Sequence, residues 1–307
     1  MIGSLRRKLA LLALDRLDLD RWAVVYLVVS AVYPLLRPSL SPNPWPRAAL
    51  HAVLALAVWF VPPLLRRRRG KVPRLIGEIY LPFIFPFFYG EMQHLGLVFY
   101  SFQDSLDPWF IRLEQAVFGL QPSLVWARAW PWPVWHELME FAYFTYYVLP
   151  LIVISLIFFS PRLSGRRWPT IRAFARDLSA VMLICYTMYT FVPVWGPKYF
   201  QAGPVEVPGW IFTRIMHSIH SQHAILGAAF PSSHVAGTTI VWWHIWRNFP
   251  RQRWWSTILF ILLSMSTVYC RYHYVVDVTS GLLLGMLVIW LGARFGETSS
   301  RRPDIED

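Results

Sequence analysis

Charge is what this chain has least of. Only 15% of its 307 residues are Asp, Glu, Lys or Arg, against about 25% in soluble domains, and that excludes an ordinary soluble domain. Acid is the scarcer sign, with 17 Asp and Glu against 29 Lys and Arg and a net charge of +12. Such a balance fits either nucleic acid or an anionic membrane surface, and the placement of the charges decides between them. Cysteine is limited to Cys185 and Cys270, both in apolar stretches. They give no disulfide framework and leave the redox compartment unread. No internal repeat, no low-complexity tract and no cleavable signal peptide are evident.

Apolar length is abundant instead: 56% of the residues are hydrophobic and 17% aromatic. A membrane-crossing helix takes roughly 20 mostly apolar residues. Eight stretches qualify, at about 22–37, 47–65, 75–100, 138–160, 174–194, 233–248, 254–271 and 275–294. The expected fold is an all-α polytopic membrane helix bundle with about eight transmembrane helices. Ahead of them, MIGSLRRKLALLALDRLDLDR mixes apolar and charged residues at helical spacing, which predicts an interfacial helix.

Placing the N-terminus in the cytoplasm puts most of the basic residues there, among them the run RRRRGKVPR from Arg66 to Arg74. The opposite side keeps only Arg37, Arg47, Arg112, Arg128, Lys198, Arg214 and Arg271. This bias assigns the charge to membrane topology and anionic lipid and predicts no nucleic-acid partner. Two long outer connections remain, about 101–137 and 195–232. In the first, Trp109, Phe110, Leu113, Val117 and Phe118 predict a helix lying along the membrane surface.

Three distant stretches meet on that outer side: FVPVWGPKYF with Lys198, FPSSHVAG with Ser232, Ser233 and His234, and YCRYHYVVDV with Arg271, His273 and Asp277. Pro-Ser-Ser before an apolar run starts a helix, whose free N–H groups and dipole attract an anion. His273 and Asp277, four apart, are expected to share a helix face, where the carboxylate can fix the imidazole tautomer. Two histidines, cations and an anion site suit phosphoryl transfer. One imidazole attacks phosphorus, the other protonates the leaving oxygen, and no metal is required.

PSSH followed by H-Y-x-x-D at the start of the last span resembles the type 2 phosphatidic acid phosphatase (PAP2) superfamily. Within it the chain looks most like the inositol phosphorylceramide synthase branch and its bacterial relatives. The resemblance covers about 75–294, a catalytic core of six helices. Residues 1–74 then add the interfacial helix and two extra spans, and 295–307 form a polar tail. It implies a lipid phosphotransferase or lipid phosphate phosphatase that needs no cofactor. His273 would be the nucleophile, passing through a phospho-histidine, and Asp277 would orient it. His234 would be general acid, then base for the acceptor. Ser232, Ser233 and Lys198 would hold phosphate. The substrate would be a phospholipid, a ceramide-like lipid or a polyprenyl phosphate, and the site would face outward from a bacterial plasma membrane. The chain departs from the family pattern twice. YFQAGPVEV after Lys198 lacks an Arg-Pro pair, and Thr267 stands where the third motif often carries Arg. Arg271, four residues on and expected on the same helix face, is the substitute that would reach the same phosphate oxygens.

Other polar groups are candidates of lower rank. Glu91 and His94 near the outer end of the third span can contact a head group or pair with each other, and Glu137 and Glu140 allow the same two readings. His217, His220 and His223 form either a zinc site or the polar face of a loop helix. A transporter would carry mid-membrane charge and repeat symmetry, neither of which is visible. A metal-dependent CDP-alcohol transferase would need a spaced set of Asp residues that this sequence lacks.

Overall fold

The computed structural model describes residues 19–36, 38, 43–99, 104–200, 209–223 and 227–295, apart from the side chains of 19, 93–99, 222, 223 and 295. The expected interfacial helix before residue 19 and the tail after 295 lie outside the described residues. In chain order the helices are α1 (Leu19–Leu36), α2 (Pro44–Arg66), α3 (Lys71–Phe99), α4 (Asp107–Phe118), α5 (Pro122–Ala129), α6 (Pro133–Phe159), α7 (Arg167–Phe191), α8 (Pro197–Phe200), α9 (Ile211–His223), α10 (Ser233–Asn248), α11 (Arg253–Tyr269) and α12 (Val275–Phe295). No strand occurs among the described residues.

A helix occupies each of the eight predicted windows. Three of them, α2, α6 and α12, are long and apolar enough to cross a membrane. This holds of the described residues alone; among the other helices, α10 and α11 have 16 and 17 residues, and α7 opens on Arg167, Arg172, Arg176 and Asp177.

The chain divides into two compact units. The first holds the described residues up to Phe85, Leu156–Ala180 and those from Leu287 onward. Here α1 pairs with α2, and buried acids collect the basic residues. Arg66 Nη2 donates to Asp20 (2.9 Å), Tyr80 donates to the same carboxylate (2.7 Å), and Arg172 Nη2 donates to Glu78 (2.7 Å). The leading Arg of RRRRGK is thus a structural ion-pair partner, while Arg67, Arg68 and Arg69 are exposed.

The second unit, Pro86–Ser155 with Val181–Met286, carries every described side chain proposed for the site. α4 forms where its apolar spacing predicts and ends at Gly119 in the left-handed region (φ 70°), the usual glycine stop. Its buried stripe differs from the expected one: Asp107, Phe110 and Glu114 point inward, while Trp109, Val117 and Phe118 are exposed. Spacings of three and four put the two acids and one Phe on a single face.

α11 ends in a Schellman turn. Arg271 N donates to Val268 O (3.0 Å) and Tyr272 N to Thr267 O (3.0 Å), with Arg271 at φ 66° in the position that usually takes Gly. The helix therefore stops before Arg271, and Thr267 and Arg271 do not share a continuing face. Thr267 is fully buried and donates to Ser264 O.

α12 lies against the start of α10 through glycines. A Cβ on Gly281 would press on the Ser232 carbonyl, and one on Gly285 would meet Thr239 Cβ at 2.7 Å. Ser232 N also donates to Asp277 O (3.0 Å). This close approach sets the separation between the PSSH turn and the HYVVD turn.

Candidate active site

Asp277 organises the site through a helix cap. With Tyr274 as the residue before α12, Asp277 is the third helical position, and its Oδ2 accepts from Tyr274 N (2.9 Å) in capping-box fashion. The same oxygen is 3.4 Å from His273 Nδ1. His273 precedes the helix, so the pair meets through the cap and not along a helix face. Asp277 is fully buried and His273 is 3% exposed. An acceptor on Nδ1 favours the tautomer whose Nε2 carries the free lone pair.

That Nε2 points at the second histidine, with His273 Nε2 to His234 Nδ1 at 3.5 Å. His234 lies in the first turn of α10, half-buried, against the rings of Tyr143 (4.5 Å) and Tyr146 (4.3 Å), and Tyr143 OH is 3.4 Å from its Nδ1. The start of α10 already uses some of the N–H groups that the sequence reading reserves for an anion. Val235 N donates to Ser232 Oγ (3.4 Å), and Ser233 N donates to Tyr189 OH (3.2 Å), which itself donates to Pro231 O (3.0 Å). Ser232 acts as N-cap, its hydroxyl proton left for another acceptor.

The cations arrive on the connecting turns. Lys198 N donates to Arg271 O (2.8 Å), which ties the WGPKYF turn to the Schellman turn, and Lys198 Nζ sits 4.6 Å from the centre of the Tyr272 ring. Arg271 is 8% exposed. The turn carrying Lys198 hangs on Asp107, which accepts from Trp195 N (2.7 Å), Gly196 N (2.9 Å) and Tyr274 OH (2.8 Å). One buried carboxylate thus fixes both the lysine turn and the residue next to His273. Glu114 does the same for α12, accepting from Val275 N at 2.6 Å. Burial pushes its carboxyl up to about 7.

The lower-ranked candidates separate. Glu137 caps α9, accepting from Trp210 N (2.9 Å), Phe212 N (2.5 Å) and Thr213 Oγ1 (2.8 Å). Glu140 is buried, with Tyr272 OH at 3.3 Å. His220 faces inward, its ring 4.2 Å from Tyr272, and burial lowers its pKa to about 3, so it stays neutral. His217 is exposed, and the side chain of His223 lies outside the described residues. Glu91 is half-buried on α3, on the same turn as Met92, which meets Thr190 (3.9 Å). The side chain of His94 is not among those described. The structure therefore brings His273, Asp277, His234, Lys198 and Arg271 onto adjoining turns of one unit.

Sequence reasoning missed Asp107, Glu114, Tyr143 and Tyr189, the polar groups that hold this arrangement. The one local signal was the acid pair at a spacing of seven on the 107–118 helix, which places both on its inner face.

Comparison with known proteins agrees with this geometry at the level of family. The sequence profile of the PAP2 superfamily matches residues 108–291, a stretch from the first turn of α4 to the last turns of α12. Neither a curated protein nor a solved structure matches the chain. The match covers more than half of the sequence and includes all three turns described above; this chain belongs to the PAP2 superfamily.

Proposed function

We propose that this chain is an integral-membrane lipid phosphotransferase or lipid phosphate phosphatase that works through a phospho-histidine. The observation that carries this reading is the line Asp277–His273–His234, with contacts of 3.4 and 3.5 Å. His273 Nε2 attacks phosphorus, and the bond from phosphorus to the leaving oxygen breaks. His234 gives that oxygen its proton. Asp277 holds the Nδ1 proton and stabilises the cationic ring. Water or an alcohol then attacks the phospho-histidine, gives its proton to His234, and the phosphorus–nitrogen bond breaks. Lys198, Arg271 and the Ser232 and Ser233 hydroxyls hold the non-bridging oxygens, where charge resides in the transition state. In-line displacement puts phosphorus and the leaving oxygen between the two imidazoles. The 3.5 Å pair must therefore open to admit substrate.

The finer reading is an inositolphosphotransferase-like enzyme in a bundle of about eight spans, with the site on the extracytoplasmic face of a bacterial plasma membrane. The basic-residue bias supports the orientation, and the missing Arg-Pro pair after Lys198 supports the branch. Water and an alcohol compete for the same phospho-histidine, so a hydrolase is the second reading. Incubating the purified protein with phospholipids and lipid phosphates, with and without inositol, separates them. A new phospholipid supports the transferase, and free phosphate supports the phosphatase. A chain that turns over none of them, with His273 intact, overturns the proposal.

A further inference from the structure

Beside the phosphoryl-transfer residues, three side chains that the proposed chemistry leaves unused converge. His136 and Glu140 lie one turn apart on α6, and Cys270 caps the end of α11. One potential ligand atom from each lies within 4.8 Å of the others. Glu140 is 5% and Cys270 9% exposed, and the His136 side chain is 13% exposed.

The Cys270 thiol already hydrogen-bonds this carboxylate, and the other polar partners stand farther off. Tyr272 OH stands 3.3 Å from each Glu140 oxygen, and His136 Nε2 stands 3.7 Å from Oε1, all longer than a strong charge-assisted hydrogen bond. An imidazole, a carboxylate and a thiol form the ligand set of a thiophilic divalent cation. Zinc bonds of about 2.0–2.3 Å put neighbouring ligand atoms roughly 3–4 Å apart. A spread within 4.8 Å therefore closes with side-chain adjustment and no movement of helices. Three protein ligands leave a fourth position for water.

We propose that His136, Glu140 and Cys270 form a binding site for one zinc-class divalent cation, separate from the His273 site. On binding, the Cys270 thiol releases its proton to solvent as the sulfur–metal bond forms, Glu140 binds as carboxylate and His136 as neutral imidazole. Cys270 and Tyr272 flank Arg271, so an occupied site holds the turn that leads to His273. The ammonium of Lys198, on the Tyr272 ring, opposes a second cation nearby and weakens the affinity. Neither His217, which points outward, nor His220, whose ring packs on Tyr272, belongs to this cluster.

Cobalt(II) titration of the full chain in detergent tests this without reference to turnover. The expected result is one cobalt per chain, with a thiolate-to-cobalt charge-transfer band that zinc removes. The chain has two cysteines, and this makes the assignment clean. Cys270→Ser should abolish the band, and Cys185→Ser, in α7, should keep it. His136→Ala and Glu140→Gln should each weaken binding by at least about tenfold, since the loss of even an outer-shell partner of a ligand costs that much, and His217→Ala should not. Absence of a thiolate band in the wild-type protein, or its survival in Cys270→Ser, overturns the proposal. Matching elution and helicity of the variants excludes unfolding as the cause.

Discussion

Asp277 has two tasks that pull on one oxygen: it caps α12 through Tyr274 N and fixes the imidazole of His273. Asp277→Asn keeps an acceptor but loses the charge that stabilises an imidazolium, so turnover should fall while the fold persists. His273→Ala should abolish turnover and any acid-labile phospho-enzyme. His234→Ala should spare part of the first step when the substrate has a good leaving group, within the 10²–10⁴-fold range of general acid catalysis. Rapid-quench trapping of phospho-enzyme distinguishes the two, and near-wild-type turnover by His273→Ala would falsify the mechanism. Arg271 offers a different contrast. Its left-handed backbone costs a non-glycine residue roughly 1–2 kcal/mol. Arg271→Gly should therefore raise the thermal midpoint, yet reduce turnover about 10²–10³-fold, the scale of one lost transition-state donor. A variant that loses both stability and activity would show that the guanidinium contacts outweigh the backbone strain. That Asp277, His273 and His234 come together was legible in the sequence, because motif order and spacing bring them to adjoining turns. The left-handed Arg was not, since nothing in VYCRYHY announces a helix stop where Gly is absent.

At the scale of the element, two glycines do what no motif predicts. Gly281 and Gly285 let α12 approach the PSSH turn backbone to backbone. Gly281→Ala should push the two histidine turns apart and reduce turnover by up to about 10²-fold, since an ångström of misplacement has that effect. Gly90→Ala is the control, because a Cβ at that position in α3 meets nothing within 4 Å. Equal losses in the two variants would reject the packing argument. The helix at 107–118 was legible from its spacing, but its inward face was not. Apolar residues line both sides, and buried Asp107 and Glu114 make long-range hydrogen bonds that sequence period does not encode. Glu114 gives a pH signature. Its carboxyl titrates at about 7 in the folded chain against 4.5 for the free group, because burial opposes the charge. Its Oε2 has no hydrogen-bond partner among the described residues, which agrees with a proton held there. Between those two values the folded chain keeps a proton that the unfolded chain has lost, so stability falls as pH rises through that window. Glu114→Gln keeps an acceptor for Val275 N and should flatten this part of the thermal-midpoint profile. A wild-type slope that survives the substitution would assign it to another group.

At the scale of the whole molecule, hydropathy located a helix in every predicted window, and among the described residues length and composition qualify α2, α6 and α12 as spans. The difference lies in side chains that serve two masters. Arg172 belongs to the basic residues counted for orientation and also pairs with Glu78, so charge counting and helix packing draw on the same residue. Orientation therefore needs its own test. Single cysteines at position 206 (Glu206→Cys), in the 195–232 connection, and at position 69 (Arg69→Cys), in the basic run, provide it. Cys185 and Cys270 are buried, which keeps the background low. If the basic run is cytoplasmic, a membrane-impermeant maleimide should label position 206 in intact cells and position 69 only after permeabilisation. The site residues follow from the same result, since Lys198 precedes the 206 segment in the same connection and shares a turn-to-turn hydrogen bond with Arg271. Labelling of position 69 from outside, with position 206 protected, would put Lys198, Arg271 and His273 at the cytoplasmic face. It would also require a substrate presented from the inner leaflet.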